Sequence, residues 1–163
     1  MSNTNSSDKQ IRIYTDGAAS GNPGPGGFGI VMKYKDHRKE LSRGYQRTTN
    51  NRMELLAVII ALEQLKKDGS RVTVYTDSRY VSEAVNQGWL FEWERKRFKK
   101  IKNPDLWKRF LAVSRKHKVT IVWVKGHADI IENERCDKLA VEAYQSGNLF
   151  VDNGYVTDTD SLL

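Results

Sequence analysis

Cysteine is almost absent: Cys136 is the single one among 163 residues. One thiol excludes an internal disulfide and a multi-cysteine metal site, and it fits a reducing, cytoplasmic setting. No apolar run approaches the roughly 18 residues of a membrane-spanning helix, so no membrane partner is expected. The stretch 1–10 is polar and Ser/Asn-rich, and lacks the apolar segment of a secretory signal peptide. Hydrophobic residues make up 39% and charged residues 29%, which excludes both a disordered and a membrane composition. The length is that of one ordinary domain. It is expected at 10–149, between a disordered tail at 1–9 and a flexible one at 150–163.

Charge is present and unevenly placed. Lysine and arginine number 27 against 20 aspartates and glutamates, a formal net charge of +7. Residues 89–118 hold eleven cations and three anions, a local +8, so the remainder of the chain sums to −1. The run Arg95-Lys96-Arg97-Phe98-Lys99-Lys100-Ile101-Lys102 lies close to Trp89, Trp93 and Trp107. Cations alone fit a solvated face equally well. Indoles interleaved with cations point toward a nucleic-acid surface, where phosphates are neutralised and flat rings stack.

Hydrophobic periodicity gives a mixed α/β order. Ile11 to Asp16 alternates like a strand, Gly17 to Gly29 reads as a turn region, and Phe28 to Lys35 and Glu40 to Arg47 read as two further strands. Met53 to Leu65 is apolar on nearly every side and predicts a buried helix capped by Asn50 or Asn51. A strand at Arg71–Thr76, a helix at Ser78–Gln87, the basic segment, and a helix at Asp105–Lys116 follow. A strand at Val119–Val124, a loop and a helix at Glu132–Gln145 complete the order. Three antiparallel strands followed by helical crossovers make a mixed sheet.

Four acids stand out, and each has an ordinary explanation. Asp16 can close an Asx turn before Gly17. Glu54 can complete a capping box with Asn51. Asp77 can cap the helix that begins at Ser78, and Asp137 can be a solvated charge on the last helix. Together they make a pattern. A right-handed crossover would set the strands ending in Asp16 and Asp77 side by side, about 4.8 Å apart. Their carboxylates would then face the crevice outside the strand ends, with Glu54 leaning over it from the crossover helix. Crowded acids repel unless cations separate them, and hard oxygen ligands without cysteine suit Mg²⁺ or Mn²⁺.

The motifs TDGAASGNPGPGGFG, TTNNRMELLA, YTDSRYV and WVKGHADIIENERCDKLA occur in that order between Ile11 and Tyr144. The chain thereby resembles the type 1 ribonucleases H. The resemblance implies a five-stranded mixed sheet in the order 3-2-1-4-5 flanked by helices. It also implies two-metal hydrolysis of the RNA strand of an RNA/DNA hybrid, leaving 5′-phosphate and 3′-hydroxyl ends. Its metal ligands fall on Asp16, Glu54, Asp77 and Asp137, and its catalytic histidine on His127. Two Mg²⁺ ions, or Mn²⁺, would activate a water and stabilise the leaving oxygen. The resemblance implies a DNA-phosphate pocket at Arg47, Thr49 and Asn103, and RNA 2′-hydroxyl contacts at Asn22, Asn50 and Asn51. Trp89, Trp93, Phe98, Lys99 and Lys100 match the aromatic channel and basic protrusion, and Arg79 places a cation where relatives often carry a neutral contact.

Three departures accompany the match. The stretch between Phe98 and Asn103 is short, Asp129-Ile130-Ile131 replaces small or polar residues after Gly126-His127-Ala128, and no separate hybrid-binding domain is expected before the first strand. The expected enzyme is a monomer. Two alternatives stand beside it: a DNA-cutting nuclease of the same fold, and a binding module without catalysis.

Overall fold

The computed structural model describes residues 10–126 and 130–155. Strands β1 (Ile11–Ala19), β2 (Gly24–Tyr34) and β3 (His37–Thr48) form an antiparallel meander. Strand β4 (Arg71–Thr76) pairs parallel with β1, and β5 (Lys118–Trp123) parallel with β4. A short β6 (Leu149–Phe150) adds to the free edge of β3, giving the order β5-β4-β1-β2-β3-β6. The helices are α1 (Asn50–Glu63), α2 (Arg79–Asn86), α3 (Trp89–Arg95), α4 (Pro104–Ser114) and α5 (Ile131–Gln145). The five expected strands keep the order 3-2-1-4-5. No helix among the described residues is long and apolar enough to cross a membrane.

Alternation along β1 divides the core between two faces. Ile13 belongs to the larger cluster, with Phe28, Ile30 and the apolar residues of α1. Tyr14 turns the other way, to Val31, Cys136 and Leu139 beneath α5. Helix α1 is buried continuously from Arg52 to Leu62, which explains why its sequence shows no polar stripe.

Its start differs from expectation. Thr49 is the cap, its hydroxyl accepting the Arg52 N–H at 3.3 Å, so α1 begins at Asn50. The carboxamide oxygen of Asn50 is committed elsewhere, to the Ala19 N–H at 2.6 Å. The Gly17–Gly29 stretch is likewise more ordered than a turn region. Gly17 pairs with Phe28 and Ala19 with Gly26, leaving the turn to residues between β1 and β2. These glycines serve packing: a Cβ on Gly29 would sit 2.2 Å from the Cys136 carbonyl oxygen, and one on Gly27 2.6 Å from that of Ala140. Small residues on β2 let α5 lie directly on the sheet.

Two further expectations change. Trp107, counted with the exposed indoles, is fully buried and packs edge-on to Trp93 at 5.6 Å between centroids. Residues 150–155, expected as a loose tail, are held instead by β6 and by ion pairing of Asp152 with the buried Arg52.

Candidate active site

Asp16 lies near the C-terminal end of β1, and Asp77 follows β4 directly. Parallel pairing of Tyr14 with Tyr75 brings those ends together. Glu54 projects from the first turns of α1, where its Oε1 accepts the Gly17 N–H at 2.5 Å. That contact needs glycine, because a Cβ at position 17 would lie 2.4 Å from the Met53 carbonyl carbon. Asp16, Glu54 and Asp77 each bring a carboxylate oxygen within 4.8 Å of the others. Asp137, delivered by α5, lines a cavity of about 360 Å³ with Asp16, Asp77 and Gly126.

The ordinary roles these acids could have had are filled by neighbours. Ser78, not Asp77, caps α2, its Oγ accepting the Val81 N–H at 3.1 Å. Thr49 caps α1 without Glu54. Asp16 Oδ1 accepts the N–H of the next residue, Gly17, at 2.9 Å, one residue short of an Asx turn, and it faces the other acids. The Trp123 Nε1 donates to the Asp77 carbonyl at 3.0 Å and fixes the backbone there.

The electrostatics are those of crowded anions. Burial pushes Asp16 up to about 7, and the charges of Asp77 and Asp137 add to it. Glu54 is raised well above the usual range, first by burial and then by the charge of Asp16. Among the described residues, Glu54 Oε2 is buried without a hydrogen-bond partner. A buried carboxylate oxygen lacking a donor, inside an all-oxygen set, fits a hard divalent cation such as Mg²⁺.

A second, shallower crevice of about 310 Å³ touches the same acids and is bordered by Asn50, Asn51 and Arg79. Asn22 adjoins it, its Oδ1 accepting the Asn50 N–H at 3.2 Å. Arg79 lies over the Trp123 ring at 4.1 Å. The other expected contacts sit farther along the surface. Asn103 and Thr49 both bond to Arg52, Thr49 through the cap and Asn103 through its Oδ1 at 3.1 Å. Arg47 is exposed and lies 5.6 Å over the Tyr155 ring. Trp89 is open to solvent, whereas Trp93 and Phe98 are half-buried against the core. Lys99 and Lys100 are exposed. His127 lies outside the described residues.

The sequence reading missed Arg52, Asp152, Trp123 and Tyr155. Arg52 carried a usable signal: a lone cation at the head of an otherwise apolar helix requires buried partners. The partner Asp152 gave none, since it stood in a polar tail.

Sheet order and acidic crevice together define a ribonuclease H-like α/β fold with a carboxylate site at the ends of its central parallel strands. The chain belongs to the RNase H family, whose profile matches residues 8–145. It is 54% identical over 155 residues to the Ribonuclease H of Desulforamulus reducens, covering 92% of this chain and 97% of that protein. It is 51% identical over 156 residues to the Ribonuclease HI of a Synechocystis species, with 92% and 97% covered. Among solved structures it is similar to LC9-RNase H1, described as a type 1 RNase H with the type 2 active-site motif. That similarity has a TM-score of 0.77 and 30% identity, over 94% of this chain and 84% of that one. LC11-RNase H1, solved in complex with an RNA/DNA hybrid, matches with a TM-score of 0.62 and 31% identity, over 83% and 97%.

Proposed function

We propose that this chain is a metal-dependent endoribonuclease that hydrolyses the RNA strand of RNA/DNA hybrids, leaving 5′-phosphate and 3′-hydroxyl ends. The observation that carries the reading is the trio Asp16, Glu54 and Asp77, with oxygens within 4.8 Å and one of them buried without a partner. The hybrid-bound structure of a relative supports the substrate class.

Asp16, Glu54, Asp77 and Asp137 would hold two Mg²⁺ ions, with Mn²⁺ as an alternative. Bound divalent ions would supply charge neutralisation at a scissile phosphate and lower the pKa of a water. The protein's own residues do the rest. Asn22, Asn50 and Asn51 offer amides able both to donate to and accept from a 2′-hydroxyl, the group that separates RNA from DNA. Arg79 adds a cation at the mouth of the same crevice. Arg47, Thr49 and Asn103 bind a phosphate of the DNA strand. Trp89, Trp93 and Phe98 wall its path, and Lys99 and Lys100 neutralise it farther on. His127 carries a proton to or from the reacting phosphate, which imidazole does well near neutral pH. The enzyme acts as a cytoplasmic monomer.

The test is cleavage of labelled RNA/DNA, RNA/RNA and DNA/DNA duplexes with Mg²⁺ or EDTA. Mg²⁺-dependent cutting confined to the RNA of the hybrid is expected. Efficient cutting of duplex DNA would assign the chain to DNA-cutting relatives, and binding without cleavage would make it a non-catalytic module.

A further inference from the structure

The segment after α5 is fastened in a way that edge packing does not require. All five N–H groups of the Arg52 guanidinium are used. Nε and Nη2 donate to Asp152 at 2.7 and 3.0 Å, Nη1 and Nη2 to Asp105 at 2.9 and 2.7 Å, and Nη1 to Asn103 Oδ1 at 3.1 Å. Asp152 Oδ2 also accepts from the Thr48 hydroxyl at 2.7 Å. Gly154 passes so near that a Cβ there would lie 1.9 Å from Asp105 Oδ2, an oxygen already held by Arg52. Tyr155 then turns back, its N–H on the Asp152 carbonyl at 3.1 Å, and sets its ring beneath Arg47.

These contacts converge on one neighbourhood. Thr48 lies between Arg47 and Thr49, and Arg52 receives the Thr49 cap and grips Asn103. Asn103 has its Oδ1 on Arg52 and one amide N–H on the Tyr80 hydroxyl at 3.0 Å, so among the described residues its second N–H remains for a ligand. An exposed arginine ordinarily samples many rotamers, and a ring under its guanidinium narrows that choice before binding.

We infer that residues 149–155 are the positioning element of the DNA-phosphate pocket. Tyr155 holds Arg47 in its binding direction, and Asp152, through Arg52, fixes the Asn103 amide. The inference rests on the reading of Arg47, Thr49 and Asn103 as phosphate contacts. Tyr155 and Asp152 touch no reacting atom, so their effect belongs in KM rather than kcat.

Asp152→Asn would disturb the buried network and lower stability, so the Tyr155 variants carry the test. They are compared as full-length proteins with Arg47→Ala on an RNA/DNA hybrid. Tyr155→Leu is expected to raise hybrid KM by about 2–5-fold, the range of an exposed cation–π contact, with kcat within about twofold and an unaltered Tm. Tyr155→Phe keeps the ring and should behave as the parent, and Tyr155→Leu combined with Arg47→Ala should be no worse than Arg47→Ala alone. An unchanged KM for Tyr155→Leu beside a raised KM for Arg47→Ala overturns the inference and leaves the pocket reading standing. Additive losses in the double variant also overturn it, because Tyr155 would then act elsewhere. An Arg47→Ala protein with unaltered KM and salt dependence removes the pocket reading itself, and the inference falls with it.

Discussion

Asp16 is caught between two requirements, and its substitution separates them. In its proposed role as a metal ligand it must be anionic, yet burial and the neighbouring acids push its pKa to about 7 in the absence of cations. A folded-state pKa above the unfolded one favours folding while the acid is protonated. That contribution is whole below about pH 4, the unfolded value, and lost as pH rises to about 7. Asp16→Asn keeps the size and removes the charge. In EDTA at pH 8 it should therefore stabilise the fold by on the order of 2 kcal/mol once solvent screening is allowed for. The gain should vanish near pH 4, and cleavage with Mg²⁺ should be nearly abolished. Urea unfolding at both pH values and a hybrid cleavage assay measure the pair of effects. A less stable variant at pH 8 would mean that the acids do not repel as the geometry implies. His127→Ala is expected to reduce kcat by on the order of 10²-fold with little change in hybrid Kd, the signature of proton transfer rather than binding.

Helix α5 must be held where Asp137 reaches the crevice, and two devices do so. One is the close approach over Gly27 and Gly29. The other is an ionic clamp to the β2–β3 hairpin, where Glu132 accepts from Arg38 at 2.9 and 3.2 Å and pairs with Lys33 at 2.7 Å. The Arg38 guanidinium, followed by Lys33, holds the Glu132 carboxyl down at about 2. A depressed folded-state pKa stabilises above the unfolded value near 4.3, and the benefit is lost as pH falls toward 2. Glu132→Gln should thus lower the urea midpoint at pH 7, with most of that deficit gone by pH 2.5 as the folded-state pKa is approached; an equal deficit at both would show a packing effect instead. None of this clamp was visible in the sequence, because it joins residues about a hundred positions apart. Asp16, Asp77 and Glu54 were legible for the opposite reason. Strand ends and a crossover helix have positions that chirality and pairing fix before any side chain is placed. The Thr49 cap, the glycines paired inside β1 and β2, and the docking of residues 149–155 depend on which atoms meet in space. Local patterns of turn and polarity pointed the wrong way there.

At the scale of the molecule, charge is sorted against the chemistry. The crevice gathers four acids, while residues 89–118 carry a local +8 out of a net +7. A polyanionic duplex approaching the acids would be repelled before any cation bound between them, so its capture has to come from elsewhere. On the proposed function the basic segment supplies it, from exposed positions, some of them in a costly conformation. Arg97, Phe98 and Lys100 have φ of 57°, 59° and 61°, a left-handed region that disfavours side chains bearing Cβ. That conformation folds the short protrusion tightly and keeps Lys96, Arg97, Lys99 and Lys100 in solvent. Replacing those four by alanine should weaken hybrid binding and flatten its dependence on salt. The log–log slope should fall by about one for every phosphate that the protein no longer neutralises. Turnover at saturating substrate should be nearly unchanged, since the carboxylates lie on other elements. Titrations of a labelled hybrid in EDTA at several NaCl concentrations give the slope, and Mg²⁺ turnover gives kcat. A slope equal to the parent's would make the segment an ordinary solvated surface. A large drop in kcat with the slope retained would place its cations next to the reacting phosphate.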